Sequence, residues 1–209
     1  MNMAQKQLYR IGGNPAMETE ERLYTIKDIE ALPEGERAEL IDGKMYMMAT
    51  PTAVHQLLIG FLYIKFGNYT NGKKCRVFLS PFAVYLNETN NYVEPDLVVV
   101  CDRNKVDMKG YHGGPDLAIE IVSPSSKRMD YLLKLFKYRT YGVREYWIVD
   151  PEKMRVQVYD LEHDDMREYT FSDSVPVGIY EGDLIIDFSE FENDMAWVNN
   201  MSDAVLPDI

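Results

Sequence analysis

Hydrophobic residues along the chain follow two periods, and together they predict helices alternating with strands. Between Thr52 and Tyr69 the apolar positions recur at helical spacing, which predicts the first long helix. Three strands are predicted next by the runs "RVFLSPFAVYL", "PDLVVVC" and "DLAIEIV", of which the last two are apolar enough to be covered on both faces. A second helix is predicted from about Lys127 to Tyr141, and "REYWIVD" predicts the strand that follows it.

The order of these elements predicts an α/β fold with a mixed central sheet flanked by helices. A strand that is reached through a helix normally lies parallel to a neighbouring strand, by a right-handed crossover. Asp42-Gly43 interrupts "RAELIDGKMYMMA" and predicts a tight hairpin, because that dipeptide tolerates positive φ angles. The alternating runs "RVQVYDL" and "MREYTF" predict antiparallel additions to the sheet.

The length of 209 residues suits one substantial domain with its own core. We expect a flexible N-terminal arm over residues 1–22, a folded domain over 23–193 and an acidic C-terminal tail over 194–209. No apolar run reaches the about 18 residues that span a bilayer, and the N-terminal residues lack the apolar core of a signal peptide. The expectation is a cytoplasmic protein without a membrane partner.

Cysteine usage and charge limit which cellular compartments and which binding partners the sequence allows. The two cysteines, Cys75 and Cys101, form neither a CxxC pair nor a zinc spacing, so we expect reduced thiols in the core. The net charge of −12 argues against a nucleic-acid partner, but it is unevenly spread. Residues 103–155 hold 11 Lys and Arg against 7 Asp and Glu, whereas residues 156–209 hold 1 against 14. The mildly basic middle of the chain keeps a nucleic-acid ligand open.

A carboxylate in the middle of a core strand is the most informative feature of the sequence. Glu120 lies inside "DLAIEIV", where an ionised side chain is costly unless it is paired or bound to a cation. Asp96 starts "DLVVVC", and if the two strands are neighbours, both carboxylates converge at one end of the sheet. Hard cations such as Mg²⁺ take one or two carboxylates plus waters and phosphate oxygens. A structural ion pair of Glu120 with Lys or Arg is the alternative interpretation.

A positive group beside such a metal would stabilise charge on a phosphate or orient the attacking water. Lys134 is our choice for this group. It lies on the helix that follows the strand of the buried carboxylate, on one face with Asp130 and Tyr138. Lys127 and Lys137 are its rivals.

Two further residue types could indicate a different mechanism. His55 lies in the first turn of the long helix, where a lone histidine is more often a cap or a hydrogen-bonding partner than a base. Ser123, Ser125 and Ser126 precede the second helix without a GxSxG motif. These serines are therefore predicted to form a turn and a helix cap.

Five features carry a resemblance to a known family: His55 and the segments "RAELIDGKMYMM", "VEPDLVVV", "GPDLAIEIVSPSSKRMDYLLKLFKYRTYGVREYWIVDP" and "GDLIIDFSEF". They resemble the Uma-two family of restriction-endonuclease-like proteins, within the PD-(D/E)XK nuclease superfamily, over roughly residues 24–192. The resemblance implies a restriction-endonuclease-like fold, whose order of elements matches the one predicted above. It also implies hydrolysis of DNA with Mg²⁺, for which Mn²⁺ would substitute.

The resemblance assigns roles to individual residues. Residues 95–96 resemble the PD element, and Glu120 resembles the acidic member of the (D/E)XK element. Asp96 and Glu120 would then be metal ligands, with the backbone carbonyl of Ile121 as a third. Glu39 resembles the acidic residue that many superfamily members place near the metal.

The sequence departs from the superfamily pattern at one position. Val122 stands where the lysine of the (D/E)XK element belongs, so Lys134 on the following helix is expected to replace it. The leading hypothesis is a metal-dependent endonuclease acting on DNA, and it is compatible with a homodimer, because two symmetric sites cut both strands of a duplex most easily. The alternative is a catalytically silent nucleic-acid or protein interaction module on the same fold. A hydrolase of a small phosphorylated substrate is a weaker third, since no glycine-rich phosphate cradle is found.

Overall fold

The computed structural model describes residues 22–123 and 126–202. The helices are α1 (Ile26–Glu30), α2 (Ala53–Thr70), α3 (Leu135–Thr140) and α4 (Glu192–Ser202), with a π-helical stretch over Met129–Lys134 directly before α3. The strands are β1 (Ala38–Ile41), β2 (Lys44–Met47), β3 (Arg76–Leu79), β4 (Val84–Tyr85), β5 (Tyr92–Val93), β6 (Leu97–Val100), β7 (Tyr111–His112), β8 (Leu117–Ile121), β9 (Glu145–Asp150), β10 (Arg155–Asp160), β11 (Asp165–Thr170), β12 (Ser174–Pro176) and β13 (Ile185–Asp187).

The centre of the fold is a six-stranded mixed sheet in the order β11-β10-β9-β8-β6-β3. Strands β8 and β9 are parallel, and the other neighbouring pairs of this sheet are antiparallel. The helical segment between β8 and β9 supplies the crossover, as the sequence pattern predicts. The expected mixed α/β sheet with antiparallel additions is therefore confirmed.

Helices cover both faces of this sheet, which explains why every residue of β6, β8 and β9 is buried. On one face α2 packs against the sheet, with the ring centroids of Phe66 and Trp147 5.9 Å apart. On the other face Tyr138 of α3 packs on Tyr146 of β9, with centroids 4.8 Å apart. Alternate residues of β8 face these two layers, so Ile119 belongs to the α2 side and Glu120 to the α3 side.

A second, five-stranded sheet in the order β2-β1-β5-β4-β7 lies beside the first. The predicted hairpin is present as β1 and β2, and Asp42 and Gly43 take φ angles of 51° and 75° in its turn. The run "RVFLSPFAVYL" is not one strand: β3 belongs to the large sheet and β4 to the small one. The break falls at Ser80-Pro81, where proline removes the N–H that would continue the ladder.

The cysteine prediction is wrong, because Cys75 and Cys101 form a disulfide. Arg76 pairs with Val100 in the antiparallel ladder of β3 and β6, so the two cysteines are the next residues opposite each other. Their Cα atoms lie 4.0 Å apart. A spacing pattern in the sequence carries no information about such a cross-strand pair, since the pairing depends on the strand register.

The predicted N-terminal arm falls almost entirely outside the described residues, and the predicted C-terminal tail falls partly outside them. Residues 1–21 of the expected arm and residues 203–209 of the expected tail lie there. The boundary placed at residues 193 and 194 falls inside α4. In the part of the chain that is described, no helix is both long enough and apolar enough to cross a membrane.

Candidate active site

The start of β6 and the end of β8 place two carboxylates opposite each other. Leu97 pairs with Ile119 in the antiparallel register, so Asp96 and Glu120 are the next pair toward this end of the sheet. Asp96 accepts a hydrogen bond from the N–H of Ile121 at its Oδ2, over 2.7 Å. The adjacency of the two strands, which the sequence left as a condition, is therefore met.

Glu120 is 4% exposed and points into the layer between the sheet and α3. Its Oε1 accepts hydrogen bonds from Lys134 Nζ at 2.9 Å and from the Tyr138 hydroxyl at 2.7 Å. Burial raises the pKa of Glu120 well above its ordinary value; Lys134 opposes this shift, and the carboxylates of Asp130, Asp96 and Glu39 add to it. The carboxylate is partnered, yet the site around it carries more negative charge than its cation balances.

Lys134 is the cation at the centre of this cluster, with a side chain only 5% exposed. Its Nζ lies 2.9 Å from Glu120 Oε1, 2.9 Å from Glu39 Oε1 and 3.6 Å from Asp130 Oδ1. Burial alone would lower the pKa of Lys134, but these three carboxylates outweigh burial and hold the pKa well above its ordinary value. The ammonium therefore stays charged inside the protein.

Glu39 reaches this cluster from the second sheet. It lies on β1, is buried, and its Oε1 accepts the N–H of Glu94 at 2.9 Å in addition to the contact with Lys134. Glu94 precedes Asp96 by two residues, so Glu39 connects the small sheet to the start of β6. The structure thus brings Glu39 together with Glu120 and Lys134, as the family resemblance implies.

The rival lysines point elsewhere. Lys127 lies 3.5 Å from Asp150 Oδ2 and also pairs with Glu152, and Lys137 pairs with Asp42 in the β1–β2 turn. Val122, at the position of the missing lysine, is buried among apolar side chains. Among the three predicted candidates, only Lys134 contacts Glu120 in the structure.

Two residues that contact the site, Asp130 and His55, are not among the site residues predicted from the sequence. Asp130 is buried beside Lys134, and burial raises its pKa although Lys134 and a hydrogen bond from Ser126 oppose the shift. Its spacing of four residues from Lys134 was the available signal. The sequence favours a cap or a hydrogen-bonding partner over a base for His55, and its Nε2 lies 3.2 Å from Asp96 Oδ2.

His55 reaches Asp96 from the first turn of α2, where Thr52 accepts the backbone N–H of His55 at 3.3 Å. Nδ1 of His55 is buried and has no hydrogen-bond partner among the described residues. This arrangement fits the tautomer with the proton on Nε2, which then donates to the carboxylate. His55 therefore holds Asp96 in place, which agrees with the role of hydrogen-bonding partner expected from the sequence.

The donor set fits a hard divalent cation. Glu39, Glu120 and Asp130 lie within 3.6 Å of Lys134, Asp96 lies opposite Glu120, and carboxylate oxygens are the ligands that Mg²⁺ prefers. Within the described ranges no three His, Cys, Asp or Glu side chains are arranged to hold a metal. A cation here would therefore rely on Asp96 and Glu120, with waters and a backbone carbonyl, which is a common arrangement for Mg²⁺. The carbonyl of Ile121 stays a predicted ligand.

Comparisons with known proteins identify the family and the fold of the chain. The model of the Uma2 family, described as "Putative restriction endonuclease", matches residues 25–182. Two uncharacterised proteins of Synechocystis, slr1290 and sll1609, are each 26% identical, over 133 and 127 residues. The matched stretches cover 62% and 59% of this chain and 68% and 72% of the two relatives.

A solved structure shows the same fold. It is the crystal structure of a "putative nuclease belonging to DUF820" from Anabaena variabilis, with a TM-score of 0.68 and 20% sequence identity. The match covers 81% of this chain and 97% of that chain, and it confirms the predicted restriction-endonuclease-like fold. Since the family model matches well over half of the residues, the chain belongs to the Uma2 family of restriction-endonuclease-like proteins, the family that its motifs resemble.

Proposed function

We propose that the protein is a metal-dependent endonuclease that hydrolyses phosphodiester bonds of DNA. The observation that carries this proposal is the buried contact of Lys134 with Glu120, at the strand end where Asp96 faces Glu120. It supplies the cation that Val122 cannot. A structural ion pair needs only one carboxylate for one lysine, whereas Lys134 lies within 3.6 Å of three, and this surplus of carboxylates favours an enzyme over a catalytically silent interaction module.

Each residue of the cluster has its own role in the proposed reaction. Asp96 and Glu120, with the carbonyl of Ile121, would hold the Mg²⁺ ion. Bound there, the ion would polarise the scissile phosphate and lower the pKa of a coordinated water. Lys134 donates to Glu120 and would orient the attacking water or stabilise charge that develops on the phosphate. Glu39 accepts from Lys134 on the other side, so it keeps the ammonium aimed at the site.

The location and assembly of the enzyme follow from its substrate. We propose that it acts on DNA in the cytoplasm as a homodimer, because two sites related by symmetry cut both strands of a duplex. Disulfides are rare in a reducing cytoplasm, so this location requires that the Cys75–Cys101 pair is reduced there or persists as an exception. Labelling of free thiols in protein taken directly from cells would decide whether this pair is reduced in the cytoplasm.

The first prediction is that supercoiled plasmid is cut in Mg²⁺ or Mn²⁺ and left intact in EDTA. Asp96→Asn and Glu120→Gln keep the shape and most hydrogen bonds of each side chain but remove a charged ligand. We expect each variant to lose at least about tenfold in Mn²⁺ affinity, because even a supporting residue behind a ligand costs about 10- to 100-fold. Calorimetric titration with Mn²⁺ measures this.

A matched control is Glu190→Gln, since Glu190 pairs with Lys65 of α2 and takes no part in the cluster. It should change neither cleavage nor Mn²⁺ affinity. Robust cutting in EDTA would exclude a metal mechanism. Unchanged Mn²⁺ affinity in both the Asp96 and Glu120 variants would exclude the ligand assignment.

A further inference from the structure

A second cation, Arg37, lies beside the carboxylate cluster, and we propose that it binds a backbone phosphate of the nucleic-acid substrate. The inference rests on the proposed function and adds a substrate-binding residue to it. Arg37 is the first residue of the segment "RAELIDGKMYMM", but none of the roles that the resemblance assigns falls on it. Its role follows from its position directly before β1, its hydrogen bonds to Glu94 and Ser80, and its partial exposure.

The strand places Arg37 on the same face as Glu39. The N–H of Met48 donates to the Arg37 carbonyl at 2.9 Å, which continues the β1–β2 ladder one residue beyond β1. Side chains two residues apart on a strand project to the same side. Glu39 points to Lys134, so Arg37 leaves the strand toward the same region.

Two residues that flank Asp96 hold the guanidinium. Arg37 Nε donates to Glu94 Oε2 at 2.8 Å, and Nη2 donates both to Glu94 and to Ser80 Oγ, the latter at 2.6 Å. Glu94 precedes Asp96 by two residues, and the Ser80 N–H donates to the Asp96 carbonyl at 3.2 Å. The guanidinium is therefore fixed against the backbone that carries the predicted metal ligand.

The anchor itself is rigid. Glu94 is buried, and its other oxygen, Oε1, accepts from the Tyr92 hydroxyl at 2.6 Å. A buried carboxylate with both oxygens engaged holds the arginine in one orientation at little further entropic cost. Arg37 is thus preorganised before any ligand arrives.

Arg37 also keeps donors available. A guanidinium has five N–H groups, and the contacts described for Arg37 use Nε and Nη2 only. Its side chain is 36% exposed, whereas Lys134 is 5% exposed and engaged with three carboxylates. Lys134 can act on the reacting group but not on a phosphate that approaches from solvent. The planar fork of arginine suits a phosphate, which accepts two parallel hydrogen bonds.

The test compares Arg37→Met with wild type in steady-state cleavage of a DNA duplex with Mn²⁺. We expect KM to rise by at least about tenfold with kcat changed far less, because a backbone contact binds ground state and transition state alike. The salt dependence of DNA binding should become shallower by about 0.9 in log Kobs against log salt, the value of one phosphate contact. Mn²⁺ affinity should stay within about twofold of wild type, because Arg37 is no ligand.

Three further proteins make the result interpretable. Arg37→Met/Glu94→Gln removes both partners of the ion pair and leaves no unpaired buried charge. It therefore tests the role of Arg37 even if the single variant fails to fold. Arg37→Lys keeps the charge but cannot hold Glu94 and a phosphate at once, so it should recover only part of the loss in KM. Arg155→Met, which removes an exposed arginine paired with Glu168, should leave KM and the salt slope unchanged.

The outcomes are distinct. Unchanged KM and salt slope in the folded Arg37 variants would overturn this inference and leave the proposed nuclease intact. A wild-type protein that neither binds nor cuts DNA in any divalent metal would overturn both. A raised KM accompanied by lost Mn²⁺ affinity would reassign Arg37 to the support of Asp96 and would also overturn the inference.

Discussion

Lys134 carries one positive charge and contacts three carboxylates. Glu39, Glu120 and Asp130 all lie within 3.6 Å of it, and Asp96 adds to the repulsion felt at Glu120. Breaking a buried ion pair costs about 3–5 kcal/mol, so the cluster depends on this lysine. In the proposed enzyme, the carboxylates that Lys134 leaves unbalanced would attract a divalent cation.

Replacing Lys134 separates its catalytic part from its structural one. We expect Lys134→Met to lower cleavage by about 10²-fold or more, the loss typical of one preorganised charge at a developing anion. Mn²⁺ affinity should survive, since the ammonium competes with the metal for Glu120. Single-turnover cleavage and Mn²⁺ titration on the same preparation measure both quantities.

The control is Lys127→Met, because Lys127 pairs with Asp150 and Glu152 outside the cluster. It should leave the cleavage rate close to wild type. If Lys127→Met abolishes cleavage while Lys134→Met retains it, the catalytic lysine belongs to the turn before the helix and our assignment is wrong.

At the scale of elements, periodicity and spacing were enough to find the helix that carries Lys134 but not its form. The sequence predicts a plain α-helix from about Lys127 to Tyr141, whereas Met129–Lys134 is π-helical. The hydroxyl of Tyr146, on β9, donates to the Asp130 carbonyl at 3.1 Å within this stretch. Such a partner comes from a distant strand, so no local pattern could indicate it.

The same reasoning explains which parts of the site were predictable. Glu120 stood out because a carboxylate interrupts an apolar run, and Lys134 because it shares a helical spacing with Asp130. Arg37 carried no such signal. It lies in an ordinary polar stretch before β1, and only the contacts with Glu94 and Ser80 reveal its position.

Strand β7 contains a pH-dependent contact at its end. His112 places Nδ1 3.1 Å from Glu88 and Nε2 3.1 Å from Asp107, and its ring stacks on Tyr85 of β4. Burial lowers the pKa of His112, but the hydrogen bonds to Glu88 and Asp107 outweigh burial and raise it above its ordinary value. The protonated ring therefore ties two loops to β7.

The sign of the pH effect follows from this raised pKa. The contact stabilises the fold fully below the unfolded pKa of about 6.5, and its contribution disappears as pH rises through the higher folded pKa. His112→Gln should therefore lower the free energy of unfolding at pH 5.5 and change it little at pH 8.5. The loss should stay below about 1 kcal/mol, because the site is partly open to solvent. Urea unfolding at the two pH values measures it.

The paired variant Glu88→Gln/Asp107→Asn serves as the control for this contact. It removes both carboxylate partners, so a further His112→Gln change in that background should have the same effect at both pH values. An equal loss at pH 5.5 and pH 8.5 in the wild-type background would contradict the assignment.

At the scale of the whole molecule, the negative net charge opposes the proposed binding of DNA, which is itself negatively charged. The chain carries −12, and the acidic residues concentrate after residue 155. Several basic side chains of the middle segment are also paired with carboxylates, among them Arg139 with Asp164 and Arg144 with Glu162. Net charge therefore describes solubility and long-range repulsion, while the proposed binding of DNA would depend on the few cations near the site.

The effect of salt on DNA binding distinguishes these two influences, because net charge and local contacts predict opposite signs. If the overall charge of −12 governed the encounter, added salt would screen the repulsion and strengthen binding. If local contacts such as that of Arg37 govern it, salt weakens binding, with a slope of about −0.9 for each neutralised phosphate. We expect salt to weaken DNA binding, with a shallow slope set by a few contacts and with weak affinity at physiological salt.

Titration of a fluorescent duplex with the Glu120→Gln protein, which should not cut, measures Kd from 25 to 200 mM salt without interference from cleavage. Binding that tightens with salt would show that no local cationic surface contacts the backbone, and it would count against DNA as the substrate.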